Sequence, residues 1–335
     1  MTRSLFIAPQ WIGDAVMSEP LLRQLHARGE RITVAALPWV APVYQHMPSV
    51  ENVVELPFKH GSLQWAERRA LARQWRGQFE RAYVGPNSLK SALIPWLANI
   101  PQRIGYHGES RYVLLTQRLP NPPRGERPPM VDFYLALSGT LTDKRHSMQP
   151  VLQRPTDSVR QTLQAYGLQA GAYTVIAPGA EYGPAKMWPA QHVADLCQRI
   201  QGRVVLLASA KESALCQSIA DMADSAQVLN LAGQTQLGQA FDLISAARDV
   251  VSNDSGLMHV AAGLGVPQVA LFGSSSPRHT PPLSDKAQVI WLADDPQYTP
   301  ALDCAPCYAR TCQFGHTRCL NDIRPERVAQ LLQSL

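Results

Sequence analysis

The run SNDSGLMHVAAGLGVPQVALFG at residues 252–273 places Asp254, Ser255, Gly256 and His259 within one short stretch. RDVVSND reads as a strand running out into polar residues, MHVAAGLG as a short helix closed by glycines, and PQVALFG as the next strand. A strand, a tight polar turn and a helix N-terminus leave backbone N–H groups and the positive end of the dipole facing the turn, which suits an anion. Asp and Ser also suit an N-cap, which needs no ligand. Upstream, APGAEYGPAKMWP (177–189) sets Gly179 and Gly183, which free the backbone, around a mobile cation, Lys186. G-x-x-x-x-G-K-[ST] is not matched, because Met187 follows the lysine. On one sheet edge, Lys186, the Gly256 N–H and the helix dipole can together hold a pyrophosphate. In PQWIGDAVMSEP, Gly13 allows a sharp turn and Asp14 opens a helix whose dipole keeps the carboxylate ionised. A carboxylate there can accept a proton from an attacking hydroxyl. An N-cap is its simpler use.

What is missing narrows the chemistry. The first loop has a single glycine rather than G-x-G-x-x-G, which argues against NAD. No D-x-D pair occurs, so no dedicated metal is expected, and protein cations would stabilise a departing nucleoside diphosphate in place of Mg²⁺. Cys304, Cys307, Cys312 and Cys319 are spaced C-x2-C-x4-C-x6-C with His316 inside the last gap. That spacing fits either zinc ligation by reduced thiolates or a loop held by packing alone. Cys197 and Cys216 fall in helical patterns and read as core.

These residues need elements to position them. At 335 residues, 45% hydrophobic and 17% charged, the chain is a folded protein too long for one ordinary core. No apolar run reaches membrane-span length and MTRSLFIAPQW is no signal peptide, so a cytoplasmic location is expected. Strand patterns (SLFIAP, RITVAAL, VENVVEL, RAYVGPN) alternate with helical ones (residues 14–29, 62–77 and 91–100) as far as the Pro-rich segment LPNPPRGERPP. The pattern restarts at YTVIAPG and runs through AQHVADLCQRI, RVVLLAS, QVLNLAG and DVVSND. β-branched runs without alternation are typical of parallel strands covered on both faces. The expectation is α/β: two doubly wound domains, 1–153 and 154–335, joined near QPVLQRPTDS, with ligands beyond the carboxyl ends of the strands. Residues 1–150 carry 18 Lys and Arg against 11 Asp and Glu, whereas 151–335 carry 13 against 15. The basic first half suits an acidic substrate or an anionic membrane surface, and no nucleic-acid-binding motif accompanies it. Arg68, Arg69, Arg73 and Arg76 at helical spacing with Trp65 and Trp75 suggest an interfacial patch, or simply a solvated helix.

PQWIGDAVMSEPLL, PGAEYGPAKMWP, the stretch from LAGQTQLG through VVSNDSGLMHVAAGLGVPQVALFGSSSPRHTPPLS, and the tail CAPCYARTCQFGHTRCLNDIRPERV resemble the ADP-heptose:lipopolysaccharide heptosyltransferases. The resemblance covers almost the whole chain. It implies a GT-B fold, two Rossmann-like domains facing a central cleft, with the acceptor on the first domain and ADP-heptose on the second. The last helix of such a chain could return to the first domain. The implied activity is inverting, metal-independent transfer of L-glycero-D-manno-heptose to the first heptose of heptosyl-Kdo-lipid A, with no cofactor. The implied setting is the cytoplasmic surface of the inner membrane of a Gram-negative bacterium. By the same resemblance Asp14 is the base, Lys186 the pyrophosphate lysine, Asp254 the donor-sugar acid with Ser255, Gly256 and His259 beside the phosphates. Glu212 matches the ribose acid, and Thr235 falls where backbone meets adenine. Met187 departs from the pattern, which has a basic residue after the lysine. The alternatives are an epimerase or hydrolase of nucleotide sugars on this fold, or a heptosyltransferase of type I or III specificity.

Overall fold

The computed structural model describes residues 1–58, 62–123, 127–139 and 148–335. Contacts divide the chain into two compact units, Met1–Gln153 and Arg154–Leu335. The Pro-rich segment LPNPPRGERPP lies partly outside the described residues.

In the first unit the strands are β1 (Thr2–Ile7), β2 (Glu30–Ala36), β3 (Asn52–Glu55), β4 (Arg81–Val84), β5 (Gln102–Tyr106) and β6 (Gln117–Leu119). All pairs are parallel, in the order β3-β2-β1-β4-β5-β6. The helices are α1 (Ile12–Met17), α2 (Glu19–Ala27), α3 (Ala41–Tyr44), α4 (Trp65–Gln74), α5 (Leu89–Leu97) and α6 (Met130–Leu135). The single helix expected over 14–29 is two, broken at Ser18. Pro20 has no N–H for the carbonyl four residues back, and its ring would crowd that carbonyl. At the break, Ser18 Oγ donates to Ala15 O at 2.7 Å. The suggested basic face on α4 is also corrected. Arg68 is 6% exposed, lies 4.1 Å over the Phe58 ring, and donates to Leu63 O (2.6 Å) and Lys90 O (3.0 Å). Trp75 packs edge-on against Phe79 in the core. Only Trp65, Arg69, Arg73 and Arg76 of that set face outward.

The second unit contains β7 (Tyr173–Ala177), β8 (Arg203–Leu206), β9 (Val228–Asn230), β10 (Asp249–Asn253), β11 (Gln268–Phe272) and β12 (Ala287–Trp291). They form a parallel sheet in the order β12-β11-β10-β7-β8-β9. Strands β7, β10 and β11 are buried at every residue, as their unbroken apolar runs imply. Around them lie α7 (Thr156–Tyr166), α8 (Ala190–Arg199), α9 (Ser213–Ala223), α10 (Leu237–Ser245), α11 (Gly256–Gly263), α12 (Arg318–Asn321) and α13 (Pro325–Gln333). The last helix, α13, packs on α8 and β11 of its own unit, with Val328 fully buried in that core. Cys197 and Cys216 lie in the same core, and burial pushes both thiols up to about 12.

Candidate functional site

Counted from its own first strand, each sheet has the order 3-2-1-4-5-6, with a topological switch point between its first and fourth strands. Loops at the carboxyl ends of those strands diverge to opposite faces and leave a crevice for a ligand. The residues singled out in the sequence lie mostly at these two places: Asp14 after β1, Lys186 after β7, and Asp254 to His259 after β10.

In the first unit, Asp14 lies in the first turn of α1, whose cap residue is Trp11. Asp14 is therefore not the N-cap. Its Oδ1 accepts a hydrogen bond from the Tyr134 hydroxyl at 2.9 Å across 120 residues of sequence. Tyr134 is buried on α6. That helix is fastened to β5, because Tyr106 stacks on Phe133 (3.8 Å) and donates to Phe133 O (2.7 Å). Burial, then the charge of Asp14, push the Tyr134 hydroxyl well above its usual range. It stays a neutral donor aimed at the carboxylate.

In the second unit, Lys186 closes a 3-10 turn, Pro184–Lys186, and its Nζ lies 2.5 Å from Asp254 Oδ2. The lysine is 17% and the aspartate 5% exposed at the side chain, so solvent screens the pair only partly. Asp254 Oδ1 accepts from Thr280 Oγ1 at 3.3 Å. The capping alternative does not describe Asp254. The cap residue of α11 is Ser255, which makes no side-chain cap bond, and its buried Oγ has no partner among the described residues. The N-terminus of α11, beginning at Gly256, is thus left for another acceptor. His259 is 4% exposed, and burial lowers it to about 4 against the pull of Asp254. At neutral pH it is uncharged.

Sequence reasoning missed the residue that holds these loops together. Asn253 donates from Nδ2 to Pro178 O (2.6 Å) and accepts from the Trp188 N–H (3.1 Å), tying both ends of the 178–188 loop to the end of β10. Glu212 comes close to this loop: a Cβ on Gly179 would lie 1.8 Å from its Oε1, so a side chain there would push the carboxylate aside. Its other oxygen is committed to a capping box, accepting from Ser209 N (3.0 Å) and Oγ (2.8 Å). Thr235 stands farther out, in the loop after the edge strand β9. That loop meets the Glu212 turn where Gly233 packs on Ala210. The cysteine-bearing segment borders the site as well. Ala185 N donates to Arg310 O (3.1 Å), Tyr182 Oη donates to Tyr308 O (2.8 Å), and Lys186 Nζ and the Arg310 guanidinium each lie 5.2 Å from the Tyr182 ring. Backbone N–H groups of residues 314–317, Thr317 foremost, lower Cys312. Burial, with Cys304, Cys307 and Cys312 nearby, pushes Cys319 up to about 11. Among the described residues, no three His, Cys, Asp or Glu side chains are gathered to hold a metal ion.

Taken together, the geometry offers a carboxylate oriented by a buried phenol in one unit. In the other, a lysine, a helix N-terminus and a neutral histidine surround an aspartate. Residues 68–317 match the family model for glycosyltransferase family 9 (heptosyltransferase). The chain belongs to this family. Lipopolysaccharide heptosyltransferase 2 of Salmonella typhimurium is 41% identical, covering 99% of this chain and 97% of the relative. The protein of the same name in Escherichia coli is 40% identical with the same coverage. Among solved structures, the E. coli ADP-heptose LPS heptosyltransferase II superposes with a TM-score of 0.84 at 38% identity, covering 99% and 98% of the two chains. As a family 9 member the protein is a glycosyltransferase, and its two parallel six-stranded sheets are the halves of a GT-B fold.

Proposed function

We propose that this glycosyltransferase moves L-glycero-D-manno-heptose from ADP-heptose to the first heptose of the lipopolysaccharide inner core, with inversion. The support is the full-length similarity to heptosyltransferase 2, combined with charged groups at both switch points. Asp14 takes the proton of the acceptor hydroxyl as its oxygen bonds to the anomeric carbon. The bond from that carbon to the phosphate oxygen breaks, and its electron pair leaves on ADP. Lys186 and the N-terminus of α11 face the growing diphosphate charge. Asp254 binds donor-sugar hydroxyls, and with the diphosphate in place Lys186 divides its charge between Asp254 and the phosphates. Glu212 and Thr235 are assigned to the ribose and adenine.

In this reading no metal is needed, and the enzyme works at the cytoplasmic face of the inner membrane. No helix among the described residues is long and apolar enough to cross a membrane, so attachment would be peripheral. The deciding assay supplies ADP-heptose with and without heptosyl-Kdo-lipid A, in the presence of EDTA. Transfer that requires both substrates and survives EDTA is expected. ADP release without acceptor would make the protein a hydrolase, and strict dependence on added Mg²⁺ would overturn the role given to Lys186 and α11.

A further inference from the structure

Little net positive charge faces the place assigned to the donor diphosphate. Lys186 is the only Lys or Arg in residues 178–188, and the residue after it is the uncharged Met187. The lysine's ammonium is already paired with Asp254, and His259 is uncharged at neutral pH. What remains is the N-terminus of α11, equivalent to about half an elementary charge. A diphosphate is a polyanion, and its charge grows as the bond to the sugar breaks.

A second cation shares an aromatic platform with Lys186. The Arg310 guanidinium and Lys186 Nζ each lie 5.2 Å from the centre of the Tyr182 ring, so at most about 10 Å separates them. That ring is held at both ends: its backbone belongs to the 178–188 loop, and its Oη donates to Tyr308 O at 2.8 Å. Arg310 is fastened to the same loop through its backbone. Its O accepts from Ala185 N at 3.1 Å, and a Cβ on Gly183 would lie 2.6 Å from that oxygen. The Arg310 side chain is exposed and makes no hydrogen bond or ion pair among the described residues. By contrast, Lys211 pairs with Glu181, Arg278 with Asp294 and Arg318 with Asp322. Glu181, the acid beside Tyr182 in sequence, is therefore taken. The ring face orients the guanidinium without cancelling its charge, and its five N–H donors stay open to a ligand.

We propose that Arg310 is a second diphosphate-binding residue, which meets the donor's phosphates beside Lys186 and stabilises ADP as it departs. The inference rests on the reading of the second unit as the donor side. A planar guanidinium fork takes two phosphate oxygens at once, which an ammonium cannot do. Lys186 brings a charge divided with Asp254, and Arg310 brings one that no carboxylate shares. The cysteine-bearing segment thereby gains a task in the reaction: it carries this arginine to the lysine turn.

The test combines calorimetric titration with ADP and with AMP and steady-state transfer from ADP-heptose. It compares wild type, Arg310→Ala, Arg310→Lys and the double variant Arg310→Ala with Met187→Arg. Arg203→Ala is the control, because it removes an exposed cation at the amino end of β8, the opposite edge of the sheet. Arg310→Ala is expected to weaken ADP about three- to tenfold, short of a buried charge-assisted bond because solvent reaches the site. AMP, which lacks the second phosphate, should be weakened less. The kcat should fall further, by about ten- to hundredfold, since the charge on ADP is greatest in the transition state. Arg310→Lys should recover part of both losses. So should Met187→Arg, which returns a cation to the turn from the neighbouring position. Arg203→Ala should match wild type, and the thermal midpoint of Arg310→Ala should be unchanged, because the bond from Ala185 N is made to its backbone. Unaltered ADP affinity and kcat in Arg310→Ala, or losses recovered by neither Arg310→Lys nor Met187→Arg, overturn the proposal while leaving the donor reading in place. Wild type that binds no ADP overturns that reading and the role of Arg310 with it.

Discussion

Lys186 and Asp254 are mutual partners, so each shapes what the other can do. Removing the aspartate releases a cation beside the N-terminus of α11. Asp254→Ala should therefore weaken binding of a non-transferable ADP-heptose analogue while leaving plain ADP unchanged or tighter. Lys186→Ala should weaken both by about 1–3 kcal/mol and lower kcat by more, because charge on the departing ADP grows in the transition state. Calorimetry with the two ligands separates these outcomes, and equal weakening by Asp254→Ala would make that residue a loop support. In the first unit, Asp14→Asn should lower kcat by about 10²–10⁴ with donor affinity intact. Tyr134→Phe removes a hydrogen bond that favours the ionised carboxylate, so the acid limb of kcat/KM should move up by about one pH unit. A falling kcat with an unmoved limb would reduce Tyr134 to packing. Asp14, Lys186, Asp254 and His259 were legible in the sequence because charge and imidazole stand out beside glycines at the ends of apolar runs. Tyr134 and Asn253 were not, because their partners lie 120 and about 75 positions away and nothing local marks them.

Loops, more than helices or strands, carry the specificity of this architecture, and Asn253 is where one of them is fastened. Asn253→Ala leaves Pro178 O and the Trp188 N–H without their partner in a buried setting. It should cost about 1–3 kcal/mol of stability and raise the KM for ADP-heptose. Asn253→Asp keeps the acceptor for Trp188 but turns an oxygen toward Pro178 O, so it should rescue neither property. Denaturant melts and donor titrations of the two variants check this. Most long buried strands were readable from their β-branched runs. The short elements were not: β6 is three residues, QRL, largely exposed, and lies at the sheet edge. Its presence depends on pairing with β5, which periodicity over three residues does not encode. The break between α1 and α2 was visible in Pro20, yet the continuous apolar spacing on both sides of it suggested one helix.

For the molecule as a whole, two buried titratable groups set opposite pH responses, one in each unit. Glu19, fully buried on α2, is raised by burial from 4.5 to about 7, against the pull of Arg23. Its folded form holds the proton more tightly, so the stability it contributes to the first unit is complete below pH 4.5 and declines as pH rises through 7. His259, lowered from 6.5 to about 4, behaves inversely. Its contribution to the second unit is present above pH 6.5 and lost as pH falls toward 4. Each effect reaches about 3 kcal/mol at its limit. Moving from pH 7 to pH 5 should thus strengthen hydrogen-exchange protection in the core of the first unit and weaken it in the second, after correction for intrinsic exchange rates. Glu19→Gln should abolish the first change only, and parallel changes in both units would contradict the assignment. The position of α13 bears on how the protein is made. All six strands of the first sheet lie within Met1–Gln153, so that unit can close on the ribosome as soon as it emerges. The second cannot, because the core between α8 and β11 needs Val328 from α13, which starts at Pro325. At about 5–20 residues per second, roughly ten to thirty seconds of synthesis separate the two events. During that interval the nascent chain carries one finished half and one with an open apolar seam, the stage at which a chaperone has something to hold.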